Sequence, residues 1–333
     1  MNIGVIGAGS WGTTLAVVLR GNGHAVTLWS YSAEDVDVML GTRVNRDYLP
    51  DLTIPGDIGI TGDIAVAATR MDLLVLATPS QFLRGALQSL QGTEIGRPTV
   101  VNVAKGIEKG TLLRMSEVVR DVLPALGESR YAVLSGPSHA EEVSARKATS
   151  VVAASTDPGT TRLVREAFMT PYFRVYSSSD VTGVELGGSV KNVIAIGAGI
   201  CDGAGFGDNT KAALITRGIA EMRRLGIAMG ADPHTFAGLS GLGDLIVTTM
   251  SRHSRNRYVG EELGRGRNIE EILGSMRMVA EGVETTRSAH DLANRNAVEM
   301  PITHQMHAML FEGKNPELAM SELMTRAARD EVW

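Results

Sequence analysis

The sequence holds a single cysteine, Cys201, and aromatic residues make up only 5% of it. A lone thiol cannot close an intramolecular disulfide, so no cross-linked framework stands in for a hydrophobic core, and a reducing compartment fits. Excess positive charge is missing as well: 32 Lys and Arg stand against 37 Asp and Glu, a formal net charge of −5. That balance disfavours general affinity for nucleic acid or an anionic membrane, so an anionic ligand must be caught by a local basic cluster. No run approaches about 18 uninterrupted apolar residues, so neither a transmembrane helix nor membrane insertion is expected. The chain opens on Asn2-Ile3-Gly4-Val5-Ile6 without a basic leader. No signal peptide is therefore expected, and the location read from the sequence is cytoplasmic. G-x-S-x-G does not occur, which removes the simplest hydrolase.

What is present suits a globular chain of about two domains, since 333 residues with 44% hydrophobic content can bury two cores. The first half alternates short apolar runs with helical stretches. Strands are predicted at Ile3–Ile6, Ala25–Trp29, Leu73–Ala77, Thr99–Val103, Ala132–Leu134, Ser150–Ala153 and Phe173–Tyr176. This βαβ rhythm predicts a doubly wound, mostly parallel sheet of the Rossmann type, covered on both faces. Beyond about Asp180 strand-like runs stop. Helical periodicity then marks Val184–Ile200, Lys211–Met229, Arg257–Leu263, Ile269–Leu273, Thr285–Arg295 and Pro301–Phe311. The expected organisation is a dinucleotide-binding domain over residues 1–179 and an all-helical C-terminal domain over 180–333, joined at the serine run Ser177-Ser178-Ser179.

Gly7-Ala8-Gly9-Ser10-Trp11-Gly12 is an intact G-x-G-x-x-G between a strand and a helix. Gly7 permits the tight turn, Gly9 lets backbone approach a pyrophosphate, and Gly12 lets the helix pack on the strand. The end of the second strand reads Trp29-Ser30-Tyr31-Ser32, with neither the acid that would bind the ribose 2′-hydroxyl of NAD nor the arginine that favours NADP. Cofactor preference stays open.

In the second half, Lys191 is the only cation in a small, apolar helical segment, with Gly187 and Gly188 on its own face. Two interior glycines cost up to about 1 kcal/mol each, which a close approach by ligand or backbone would explain. Desolvated, such a lysine can exchange a proton near neutral pH; the alternative is a lysine snorkelling to the surface. Arg252, Arg255 and Arg257 with Asn256 suit phosphate oxygens, though a solvated basic loop is the commoner fate of such a run. Gly241-Leu242-Gly243-Asp244 places an acid on a turn, and Lys105 and Gly136-Pro137-Ser138-His139 follow strands at the ligand-binding edge. His139 reads as a loop histidine. His304 and His307, spaced i, i+3 without a third ligand, read as a solvated face rather than a metal site.

Taken together, Gly7–Gly12, Ser135–Ser138, Lys191–Ala195, Asp208–Arg217, Gly241–Leu245 and His253–Arg257 make the chain resemble the bacterial NAD(P)-dependent sn-glycerol-3-phosphate dehydrogenases across nearly its whole length. The resemblance implies NAD(P)H-dependent, reversible reduction of dihydroxyacetone phosphate to sn-glycerol 3-phosphate, which feeds glycerophospholipid synthesis. It implies Lys191 as general acid/base, and substrate contacts from Lys105, Gly136, Ser138, Lys191, Asp244, Ser254, Arg255 and Asn256. Gly7, Gly9, Ser10, Trp11, Gly12, Lys105, Ala140, Arg255, Val279 and Glu281 match cofactor positions, with no metal implied. The sequence departs at His139, where many members carry an aromatic residue, a difference expected to bear on loop packing. The expected partners are small molecules, with a homodimer left open. Two rivals remain: another hydroxyacid dehydrogenase with a helical second domain, and a non-catalytic dinucleotide sensor.

Overall fold

The structure is a computed structural model that describes residues 1–328, 330 and 331. Its strands are β1 (Asn2–Ile6), β2 (Ala25–Trp29), β3 (Val44–Asn45), β4 (Leu49–Thr53), β5 (Gly59–Thr61), β6 (Leu73–Leu76), β7 (Thr99–Asn102), β8 (Tyr131–Ser135), β9 (Thr149–Ala154) and β10 (Phe173–Ser178). Eight of them form one sheet in the order β10-β9-β8-β7-β6-β1-β2-β5, and β3 with β4 forms a separate antiparallel hairpin. The central strands β1, β6, β7 and β8 are buried on both faces, as their near-continuous apolar sequences require, whereas β10 at the edge alternates buried and exposed positions. On β6, Leu73 and Val75 enter one core layer and Leu74 and Leu76 the opposite one.

From β1 the chain passes to β2 on one side, then returns to lay β6 on the other. Strand order thus reverses between β1 and β6, and the crevice outside their carboxyl ends is where such sheets take ligands. All pairings in the large sheet are parallel except β8 with β9. The link between those two carries only the five-residue helix Ala140–Ser144. Five helical residues reach about 7.5 Å, too short to run back along a strand of about 16 Å. Direction therefore flips there, and residues 136–144 stay at the carboxyl edge. Neither this flip nor the hairpin nor β5 is visible in the apolar pattern.

No strand follows Ser178 among the described residues, in line with the expected helical second half. Its central helix, Val181–Gly203, is longer than the predicted Val184–Ile200, because Asp180 caps it by accepting the Gly183 N–H at 2.8 Å. By length and composition this helix could cross a membrane, yet it is wholly buried inside the protein. Its Glu185 accepts hydrogen bonds from Arg114 Nη1 (2.8 Å), Ser116 N (2.8 Å) and Tyr131 Oη (2.6 Å), which lock the helix to the sheet domain. Helices Asp244–Met250 and Pro316–Met324 were not expected from periodicity. His304 and His307 are half-buried rather than solvated. The helix Glu281–Arg295 packs over that face, and the His290 ring lies 4.7 and 4.0 Å from theirs.

The central helix crosses the helix Arg255–Gly264 with backbones in contact. A Cβ at Gly199 would lie 2.0 Å from Arg257 O, and one at Gly260 would lie 1.9 Å from Ile196 O. No rotamer can relieve such an overlap, because the obstructing atoms are main chain. Gly260→Ala should therefore cost about 1–3 kcal/mol or more in urea unfolding, against a small effect for Ala at exposed Gly274.

Candidate active site

After β1 the chain turns at Gly7, with φ +121°, and a Cβ there would meet the Ala77 backbone at 2.7 Å. A Cβ at Gly12 would sit 1.9 Å from Gly7 O, so loop and helix are pressed together. Gly9 is different: nothing lies within 4 Å of its would-be Cβ. Gly9 also begins the helix Ser10–Gly21 with no capping side chain and no acid in the first turn. Free N–H groups, the positive end of a helix and open space above Gly9 together fit a dinucleotide pyrophosphate. The Trp11 ring lies 6.2 Å from that of Phe173, and buried Ala140 accepts a hydrogen bond from Thr14 Oγ1 at 3.4 Å, so Ala140 adjoins this loop.

Lys191 does not snorkel. It is 5% exposed, and its Nζ donates to Asp244 Oδ1 at 2.8 Å and to Thr248 Oγ1 at 2.6 Å. Lys105 Nζ donates to the other carboxylate oxygen of Asp244 at 2.7 Å and to Gly136 O at 3.0 Å. One carboxylate, itself 1% exposed, thus bridges two ammonium groups. Burial pushes the Lys191 ammonium down to about 8, with Asp244 opposing and Lys105 adding to the fall. Burial alone would raise the Asp244 carboxyl, but the two lysines hold it below the ordinary carboxylate range.

The two glycines beside Lys191 are explained by protein rather than ligand. A Cβ at Gly187 would be 2.8 Å from Ser240 O, in the π-helical turn Leu239–Gly243 that leads into Asp244. One at Gly188 would be 2.6 Å from Ser135 Oγ and 3.6 Å from Lys105 Cγ. Their bareness lets the carboxylate from one side and Lys105 from the other close on the amine.

Glu281 joins the halves: Oε1 accepts Ser80 N at 2.6 Å and Oε2 accepts Lys105 N at 3.3 Å. Asn192 Nδ2 donates to Lys105 O at 3.2 Å, and Ser138 Oγ donates to Gly136 O at 2.9 Å. A second group lies on the helical side. Ser254 caps the helix Arg255–Gly264 by accepting Arg257 N (3.1 Å), Asn256 Oδ1 accepts Gly282 N (2.9 Å), and Arg255 Nη1 donates to Val279 O (2.8 Å). Arg255 is exposed and Val279 is 39% exposed. Arg257 is withdrawn from any ligand by Asp202 (2.6 Å) and Glu261 (3.2 Å). At the rim, Arg277 pairs with Asp47 of the β3–β4 turn at 2.5 Å.

Lys105, Gly136, Lys191, Asp244 and Glu281 are therefore linked directly, with Ser138 attached through Gly136 O. Ser254, Arg255, Asn256 and Val279 form a neighbouring set, and Gly7–Gly12 with Ala140 a third. Sequence reasoning overlooked Thr248 and Ser80. Thr248 stands four residues after Asp244 on one helix, a spacing that places both on one face. Ser80 opens the helix Ser80–Gln88 just after β6, at the reversal point.

This arrangement can be set beside known proteins. A family model described as NAD-dependent glycerol-3-phosphate dehydrogenase N-terminus matches residues 2–161, and its C-terminal counterpart matches 180–321. The chain is 53% identical over 332 residues to the glycerol-3-phosphate dehydrogenase (NAD(P)+) of Prosthecochloris aestuarii, covering all of both chains. It is 54% identical over 333 residues to that of Geobacter sulfurreducens, covering 99% of each. The crystal structure of glycerol-3-phosphate dehydrogenase from Coxiella burnetii superposes with a TM-score of 0.92 at 39% identity, over 98% of this chain and 99% of that one. Matched by both family models and by relatives over its full length, the chain belongs to the NAD-dependent glycerol-3-phosphate dehydrogenase family.

Proposed function

We infer that the protein is an oxidoreductase that interconverts dihydroxyacetone phosphate and sn-glycerol 3-phosphate with NAD(P)H, supplying the glycerol phosphate unit of glycerophospholipids. The observation that carries the reading is the buried Lys191–Asp244–Lys105 bridge at the carboxyl edge of the sheet. Bound NAD(P)H supplies the hydride, held by Gly7, Gly9, Ser10, Trp11 and Gly12, with Lys105, Ala140, Arg255, Val279 and Glu281 completing its surroundings. Arg255, Asn256 and Ser254 take the substrate phosphate, while Gly136, Ser138 and Lys105 line the opposite wall. Fixing the phosphate turns a mobile three-carbon ketone into an oriented one. Lys191 then gives its proton to the oxygen that develops negative charge on C2, and the ammonium stabilises that charge beforehand. Asp244 holds Lys191 in place and keeps it charged.

The working division is residues 1–179 for the dinucleotide and 180–333 for substrate and catalysis, supported by the cap at Asp180 and the start of the C-terminal family match at 180. The reading carries small-molecule partners only, without nucleic acid or membrane insertion, in a cytoplasmic setting, with homodimer formation left to a direct mass measurement. Among the nearby basic groups, Arg43 is committed to Ile58 O and Gly56 O, so it offers no ready 2′-phosphate site. Parallel oxidation of NADH and NADPH with dihydroxyacetone phosphate measures the reaction and the preference together; turnover of a hydroxyacid substrate instead would favour the rival dehydrogenase.

Lys191→Met should lower kcat by roughly 10²–10⁴-fold while leaving NADH affinity in a fluorescence titration unchanged. Ketone reduction needs the ammonium, so its kcat should fall as pH rises through about 8, and the reverse oxidation should rise over the same range. Asp244→Asn removes the charge that opposes desolvation, so the descending limb of the reduction profile should move to lower pH. Arg255→Ala should raise KM for dihydroxyacetone phosphate by roughly ten- to a hundredfold, about 1.5–3 kcal/mol for a charge-assisted hydrogen bond.

A further inference from the structure

Between Ser138 and Ala140 stands His139, a residue with no part in the scheme above. It occupies the cap position of the helix Ala140–Ser144, yet its side chain makes no capping bond. Its Nε2 is buried and has no hydrogen-bond partner among the described residues. The ring lies 6.0 Å from that of His253, on the turn that leads into Ser254 and Arg255 from the opposite half of the molecule. The charges that act on it come from every side of the cleft: Lys191 on the central helix, Lys105 after β7, Asp244 beyond the π-helical turn, and Glu141 on its own helix. Burial first, and then the two lysines, keep the imidazole below the ordinary histidine range, with Glu141 and Asp244 opposing, so it is neutral and carries one N–H.

Proteins rarely strand a buried polar nitrogen, so this orphan, set among Lys191, Lys105 and Asp244 and beside the turn before Ser254, calls for a ligand atom as its partner. The two lysines act on the imidazole more strongly than Glu141 and Asp244 do, which selects an electron-rich acceptor. The reacting carbonyl is assigned to Lys191, whereas His139 has its ring neighbour on the segment next to Arg255, which places it at the other end of the ligand. We propose that His139 contacts the substrate directly, its Nε2–H donating a hydrogen bond to the phosphate across from Arg255 and Asn256. This rests on the dihydroxyacetone phosphate reading and extends it. His139 is thus a determinant of substrate affinity in this chain.

The experiment compares His139→Phe, which keeps a ring and removes the nitrogens, with His139→Gln, which restores an N–H donor. The Phe variant should raise KM for dihydroxyacetone phosphate about tenfold, the factor worth one net hydrogen bond. Calorimetric binding of sn-glycerol 3-phosphate should weaken to match, with a smaller effect on kcat and with NADH affinity retained. The Gln variant should recover most of the loss, which a purely structural role would not permit. An unchanged KM in the Phe variant, or equal impairment of both variants, overturns the assignment. Wild-type turnover of dihydroxyacetone phosphate is the control: its absence sinks the reaction itself, whereas wild-type turnover with an unaffected Phe variant sinks only the role of the histidine.

Discussion

One buried carboxylate shared by two ammonium groups governs the rest of this molecule. Asp244 accepts from Lys191 on one oxygen and from Lys105 on the other. Removing these three charges from water is expensive, and only their mutual proximity makes the arrangement tolerable. Glu281, held by Lys105 N and acting on Lys191, brings a second carboxylate, so two cations and two anions are gathered in one place. The same field shapes the amine, since desolvation alone would drive it neutral and Asp244 alone would hold it charged.

The geometry that permits this cluster is paid for in helix propensity. Gly187 and Gly188 lie in the interior of a 23-residue helix, where alanine would be the better former. Each is bare because a neighbour arrives from a different direction, Ser240 on one side and Ser135 with Lys105 on the other. Farther along the same helix, Gly199 admits the main chain of the helix Arg255–Gly264, which fixes Arg255 and Asn256 relative to Lys191. A single glycine-rich helix therefore sets how closely Ser240, Lys105 and the helix Arg255–Gly264 approach Lys191.

Much of this was legible beforehand. The strand-turn-helix with Gly7, Gly9 and Gly12 announced a dinucleotide crevice because Gly7 and Gly12 answer local steric demands while Gly9 leaves open space at the helix start. The six predicted second-half helices appear within a few residues of their predicted bounds, because long periodic segments report their buried face directly. The odd pairing of Lys191 with two glycines pointed to a crowded site. What stayed hidden depends on distant chain segments. The β8–β9 reversal follows from the length of a connecting helix, not from the strands. Asp244 stood out as an acid on a turn and as a match to a substrate position, but its bridge to Lys105, 139 positions away, has no local signal. His139 read as a loop residue because its ring neighbour, His253 at 6.0 Å, comes from a distant segment of the chain.

The two contacts that join the halves along residues 277–281 differ in kind. Glu281 binds main-chain N–H groups in a half-buried setting, whereas Arg277 meets Asp47 in the open, 75% and 46% exposed. Mobile ions screen an exposed pair far more than an enclosed one. Rising ionic strength accordingly weakens the Arg277–Asp47 contact well before it touches the Glu281 contact beside Lys105.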